Sequence, residues 1–214
     1  MTRLLLVRHG ETTWNAEGRI QGHMNSDLSP LGRAQAEVLK HRLKRIHPAA
    51  IYSSDLSRAM ETIRPTAELL GVPVIPRTDL REKCFGEWEG LSPADVEERY
   101  PGEWSRYRSH FNLDYEIPGG ETWDEVRIRV ETACRDILRQ HDAGDTVIIT
   151  GHGGSLRPII LYALRAPMSC LYHMSVDNAG VTCLDFKSTD DGRVVYLNDT
   201  LHLVDLVNPE TLVA

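Results

Sequence analysis

Two tripeptides far apart in the sequence share a pattern. Arg8-His9-Gly10 follows the apolar run Leu4–Val7, and Gly151-His152-Gly153 follows Val147–Ile149. A histidine at a strand end is more often a hydrogen-bonded structural residue than a reagent. His41, His47, His110, His141, His173 and His202 are read that way. His9 and His152 differ in their company: an arginine precedes His9 and a glycine follows each histidine, so the backbone can approach a ligand closely and offer unblocked N–H groups. Asn15, Arg58 and Glu82 fall at or near expected junctions between helices and strands. Two imidazoles, two guanidiniums and one carboxylate suit phosphoryl transfer, whose catalysis is mostly positioning and electrostatic stabilisation. The arginine fork matches phosphate oxygens and, with an imidazole, can do the work a divalent cation does elsewhere. A neutral imidazole nitrogen can accept the phosphoryl group, and one carboxyl group can protonate the leaving alkoxide and later deprotonate water. No H-E-x-x-H or H-x-x-x-H spacing suggests a histidine-based metal site.

Such a constellation needs strand ends that meet. Leu4–Val7 reads as a buried central strand, and 50–52, 72–75, 146–150 and 181–186 read similarly, with 194–197 as a hairpin partner of the last. Between them lie helices. Ser29-Pro30 starts one that should run to about Arg45, and a stripe from Leu56 to Leu70 ends at Gly71, with a kink or break expected at Pro65. Thr122 and Glu125 form a capping box for a helix through about Gln140. This alternation implies an α/β fold, a three-layer α/β/α sandwich with a mostly parallel central sheet, with ligands beyond the carboxyl ends of the strands. If the first strand and 146–150 are neighbours there, the two imidazoles can face one another. The span from about 83 to 121 breaks the pattern and holds Phe85, Trp88, Tyr100, Trp104, Tyr107, Phe111 and Tyr115, half of the chain's 14 aromatics. It reads as a helical cap insertion, with Ser92-Pro93 opening a helix that Pro101 stops.

The 214 residues carry 24 Lys+Arg against 31 Asp+Glu, a net charge of −7, with 41% hydrophobic residues. That length suits a single domain, 1–214, with a sizeable insertion. Apolar runs are too short to span a bilayer, and neither a secretory leader nor a basic block stands out, so the expected setting is cytoplasmic, with no membrane or nucleic-acid partner. The four cysteines have no C-x-x-C spacing and suggest neither a disulfide framework nor zinc.

The motifs together resemble the signature of the histidine phosphatase superfamily, which includes the cofactor-dependent phosphoglycerate mutases. Arg8-His9-Gly10-Glu11-Thr12-x-Trp14-Asn15 is followed by Gln21-Gly22, Leu28-Ser29-x-x-Gly32, Ser53-Ser54-Asp55-Leu56-x-Arg58-Ala59, Leu80-Arg81-Glu82, Gly86-x-Trp88-Glu89-Gly90, Gly119-Gly120-Glu121-Thr122 and Gly151-His152-Gly153-Gly154. The resemblance runs from Leu4 to about His202. It implies His9 as the phosphorylated nucleophile, Arg8, Arg58 and His152 as the phosphate clamp, Glu82 as proton donor and acceptor, Asn15 as a phosphate ligand, and Gln21, Gly22 and the Gly153 backbone as the pocket rim. It implies no metal and no cofactor. Trp14 and Trp88 read as pocket wall or core.

Within the family, Lys83-Cys84-Phe85-Gly86-Glu87-Trp88-Glu89-Gly90 lacks the longer basic insertion of the mutases resembled, and is closer to the small phosphatases. The expectation is a phosphatase that hydrolyses a small phosphorylated metabolite through a phospho-histidine. The alternatives are a phosphoglycerate mutase, or a catalytically silent phospho-ligand binding protein, against which the full set of His9, Arg58, Glu82 and His152 argues. Arg106 and Arg108 on the cap read as solvated charges, with a substrate carboxylate as the other reading. The sequence is compatible with a homodimer.

Overall fold

The computed structural model describes residues 1–108, 113 and 115–206. His110, Phe111 and the side chain of Arg108 lie outside the described part. In chain order the elements are β1 (Thr2–Arg8), α1 (Thr13–Ala16), α2 (Pro30–Leu43), β2 (Ala50–Ser54), α3 (Ser57–Leu70), β3 (Val74–Arg77), α4 (Pro93–Arg99), α5 (Glu103–Arg108), α6 (Trp123–Arg139), β4 (Thr146–Gly151), α7 (Gly153–Leu164), β5 (Val181–Ser188) and β6 (Asp191–Asp199).

The strands form one sheet in the order β3-β2-β4-β1-β5-β6. β3, β2, β4 and β1 pair in parallel, while β5 runs antiparallel to both β1 and β6. β1 is apolar on both faces because both are covered. Leu4 and Leu6 pack with Val130, Ile137 and Ile159 of α6 and α7, whereas Leu5 and Val7 pack with Leu39, Leu43 and Ile63 of α2 and α3. The result is the expected three-layer sandwich. A third apolar cluster sits in the cap, where Trp88, Leu91, Val96, Tyr107, Tyr115 and Ile117 bury one another. Trp88 is therefore core of the cap.

Three local expectations are corrected. Helix α3 runs unbroken through Pro65, because Ala59, Ile63 and Ala67 hold its inner face in the core and the packing outweighs the lost backbone hydrogen bond. The strand expected over 72–75 lies two residues later, as β3 at the sheet edge, where Pro76 is tolerated because one side of the strand needs no donor. The helix begun at Pro30 stops at Leu43, with Lys44 as its cap.

The register delivers the two histidines. β1 and β4 pair with Arg8 opposite Gly151, and the His9 N–H donates to the Gly151 carbonyl at 3.0 Å. Each chain then turns away at the carboxyl end of its strand, which puts His9 and His152 on the same edge of the sheet.

Candidate active site

The imidazoles of His9 and His152 lie with ring centroids 5.0 Å apart and planes tilted by 56°. They are 2% and 0% exposed, and both pKa values are held well below the ordinary 6.5, first by burial and then by the positive charge of Arg58. Both rings are therefore neutral. Their hydrogen bonds are of opposite kinds. Nδ1 of His9 is 2.7 Å from the Gly10 carbonyl oxygen, which can only accept, so Nδ1 carries the hydrogen and Nε2 keeps its lone pair. Nε2 of His152 is 2.8 Å from the Ser54 hydroxyl oxygen, and Nδ1 is buried without a partner. The Ser54 oxygen also accepts the Leu56 N–H at 3.3 Å, and among the described residues its own hydrogen has no acceptor other than His152, so we assign it to Nε2. That assignment makes Nδ1 of His152 an N–H donor.

Arg58, on the first turn of α3, is 1% exposed and is pinned by backbone carbonyls: it donates to Met24 at 2.8 Å and to Gly22 at 2.7 Å. Arg8 donates to the Val176 carbonyl at 2.7 Å. The Nε atoms of both arginines are buried without a partner. Burial draws both guanidinium pKa values down, that of Arg58 to about 10, while the negative charge of Glu82 opposes the shift. Two water-stripped cations with unused donors beside two neutral imidazoles form a cradle for an anion.

Above the cradle lies a cleft of about 270 Å³. Arg8, His9, Asn15, Gln21, Gly22, Glu82 and Gly153 line it, as the motifs lead one to expect. Arg58 and His152 are not on its wall and sit behind the floor. The side-chain oxygen of Asn15 accepts the N–H of Thr12, whose hydroxyl caps α1, which leaves the side-chain amide nitrogen as the group to offer a ligand. Glu82 accepts the Lys83 N–H at 2.8 Å, and its carboxylate lies so close over Gly154 that a Cβ there would overlap it. Glycine at 154 is what admits the carboxylate to the cleft. The remaining wall comes largely from rings: Phe85, Trp104 and Tyr107 from the cap, with Trp123 and Tyr172 from the body.

Several residues carry no role in the sequence reading. Ser54 stands in a quoted motif, but its bond to a histidine 98 residues away is invisible along the chain. Arg157 lies on a helix that Gly153, Gly154 and Pro158 conceal from any propensity argument. Lys83 is 0% exposed, its Nζ has no hydrogen-bond partner and lies 5.5 Å and 5.6 Å from the ring centres of Phe85 and Trp123, and burial draws its pKa down to about 8. Arg106 is away from the cleft, exposed beside Glu103 and Tyr115. Among the described residues, no group of three or more His, Cys, Asp or Glu is placed to hold a metal ion, and no helix is long and apolar enough to cross a membrane.

A family model described as histidine phosphatase superfamily (branch 1) matches residues 4–200. The chain belongs to this superfamily. Among its relatives, the metal-independent phosphoserine phosphatase of Arabidopsis thaliana is 44% identical over 169 residues, which cover 78% of this chain and 70% of that protein. YhfR of Bacillus stearothermophilus superposes with a TM-score of 0.88 at 30% identity, covering 95% of this chain and 100% of that one. A phosphoserine-bound mutant of the phosphoserine phosphatase of Entamoeba histolytica superposes with a TM-score of 0.78 at 27% identity, covering 95% of this chain and 100% of that one. Like these histidine phosphatases, the chain is a mixed six-stranded α/β protein.

Proposed function

We propose that the protein, read as one catalytic domain with its cap, is a metal-independent phosphomonoesterase that works on small phosphorylated metabolites through a phosphorylated His9. The observation that carries this reading is the pair of buried imidazoles that face one another at the carboxyl ends of β1 and β4. His9 presents a bare Nε2 and His152, with Ser54 as donor to its Nε2, an Nδ1–H; the ring centres are 5.0 Å apart, beside two guanidiniums whose Nε–H groups are buried without a partner. In the first displacement Nε2 of His9 attacks phosphorus, the P–O ester bond breaks, and the alkoxide takes the proton of the Glu82 carboxyl. In the second, water attacks phosphorus, the P–N bond breaks, and Glu82 takes the water proton. Arg8, Arg58, His152 and Asn15 hold the three equatorial oxygens in both steps, and Gln21, Gly22 and the Gly153 backbone form the rim. The Arabidopsis and Entamoeba relatives are named for phosphoserine, which supports a small carboxylated substrate.

The test is hydrolysis of p-nitrophenyl phosphate with and without EDTA, combined with capture of the intermediate. EDTA-insensitive turnover and an acid-labile phosphate on the peptide containing His9 are expected. Activity abolished by EDTA, or phosphate on another residue, overturns the reading.

A further inference from the structure

We propose that Arg157 forms a second anion subsite in the cleft, which takes a carboxylate carried on the leaving group close to the ester oxygen. The proposal rests on the phosphatase reading above and adds to it the residue that selects the substrate.

Arg157 stands on the first turns of α7 and lines the cleft. Its Nη1 lies 3.0 Å from the point where a Cβ on Gly153 would sit, and Nε of Arg8 lies 3.9 Å from the same point. The Glu82 carboxylate overlies the next residue, Gly154. Both groups line the same cleft, each against one of two successive glycines whose Cα atoms are about 3.8 Å apart. A leaving group whose oxygen meets Glu82 reaches Arg157 with a group only a few bonds further on.

The guanidinium is oriented but uncompensated. Its Nε donates to the Met174 carbonyl at 3.3 Å, and its carbon lies 6.0 Å from the ring centre of Tyr172. This fixes the plane and leaves the two Nη nitrogens for a ligand. The other arginines of the cleft wall are already engaged. Arg19 donates to the Glu17 carboxylate at 2.7 Å and to the Gly90 carbonyl at 3.0 Å, and Arg8 belongs to the phosphate cradle and feels the charges of Glu82 and Asp177. Arg157 meets no carboxylate among the described residues. A half-buried fork with two free nitrogens, set in a wall of rings, is matched best by a planar carboxylate that accepts both hydrogen bonds. A substrate lacking that group leaves the guanidinium unmatched, which is the arrangement that gives large discrimination.

The experiment compares 3-phosphoglycerate with glycerol 3-phosphate, which differ at the far carbon by a carboxylate against a hydroxymethyl group. The wild-type protein is expected to prefer 3-phosphoglycerate by about tenfold or more in kcat/KM. Arg157→Gln should lower kcat/KM for 3-phosphoglycerate by about 10- to 100-fold, mainly through KM, with a several-fold smaller loss on glycerol 3-phosphate. Arg157→Lys should recover part of the preference, and far-UV circular dichroism checks that both variants are folded. No preference in the wild type, or equal losses on the two esters in both variants, overturns the subsite while leaving the phosphatase reading intact. Failure of the wild type on both esters and on p-nitrophenyl phosphate overturns the phosphatase reading itself.

Discussion

The carboxyl ends of β1 and β4 look alike in sequence and in burial, yet their histidines lean on oxygens of different kinds. Each ends in a histidine that is sealed from solvent, neutral, and flanked by glycine. The difference lies in the partner. The His9 ring leans on a carbonyl of its own loop, which can only accept, whereas the His152 ring leans on a serine hydroxyl from β2, which can donate. One imidazole is thus left with a lone pair to give and the other with a hydrogen. Burial and charge set the protonation state of both rings; a single neighbouring oxygen sets the role of each.

Substitution at the two ends should separate those roles. The largest effect is expected for His9→Ala, which removes the nitrogen proposed to take the phosphoryl group: turnover of p-nitrophenyl phosphate should fall by about 10⁴-fold or more, with no phospho-protein recoverable on acid-free quenching. If His152→Ala costs as much and also abolishes phospho-protein, the distinction between lone-pair and donor ends is wrong. The expected loss there is about 10²- to 10³-fold, the range for one preorganised donor, with phospho-protein still formed at a reduced rate. Ser54→Ala probes the comparison more finely. It removes the donor that holds His152 in its tautomer, and should cost about tenfold in kcat with little change in KM, while Ser54→Thr, which keeps the hydroxyl, should recover most of it. An equal loss in both variants would point to packing in place of tautomer control.

The smallest effect concerns what the two ends share. Their pKa values are both depressed from 6.5, so in the folded protein both stay neutral as pH falls, while the unfolded chain takes up protons below about 6.5. Their contribution to stability is therefore constant above that value and is lost as pH drops below it. The midpoint of urea unfolding should decline from pH 7 to pH 5, whereas kcat, which does not report the ionisation of the free substrate, should show no inflection near 6.5 from either imidazole. An inflection near 6.5 that disappears in His152→Gln would show that the ring at the end of β4 titrates in the folded protein, against the shared depression.

How much of this could be read along the chain follows from the range of each interaction. β1 and β4 were visible because strands covered on both faces are uniformly apolar, and the glycines beside His9 and His152 marked the turns that follow. The capping box at Thr122 and the Ser29-Pro30 start placed α6 and α2 because caps are local. Helix α7 escaped notice: glycines at 153 and 154 and a proline at 158 argue against helix, and it is the burial of Leu156, Ile159 and Ile160 against the sheet that secures it. Arg157 is hidden with it, which leaves Arg106 and Arg108 of the cap, read first as solvated charges, as the arginines that the sequence offers for a substrate carboxylate. The partner of His152 and the carbonyls that pin Arg58 are long-range facts of topology that no spacing rule encodes.

Lys83 has a practical consequence. It is fully enclosed between a cap ring and a body ring, whereas the three other lysines, Lys40, Lys44 and Lys187, are half-buried or exposed. An acylating reagent can reach its amine only while those rings are parted. Its labelling rate, set against those of its three sisters, thus times how often the Phe85 and Trp123 rings separate, readable by peptide mass spectrometry without any substrate.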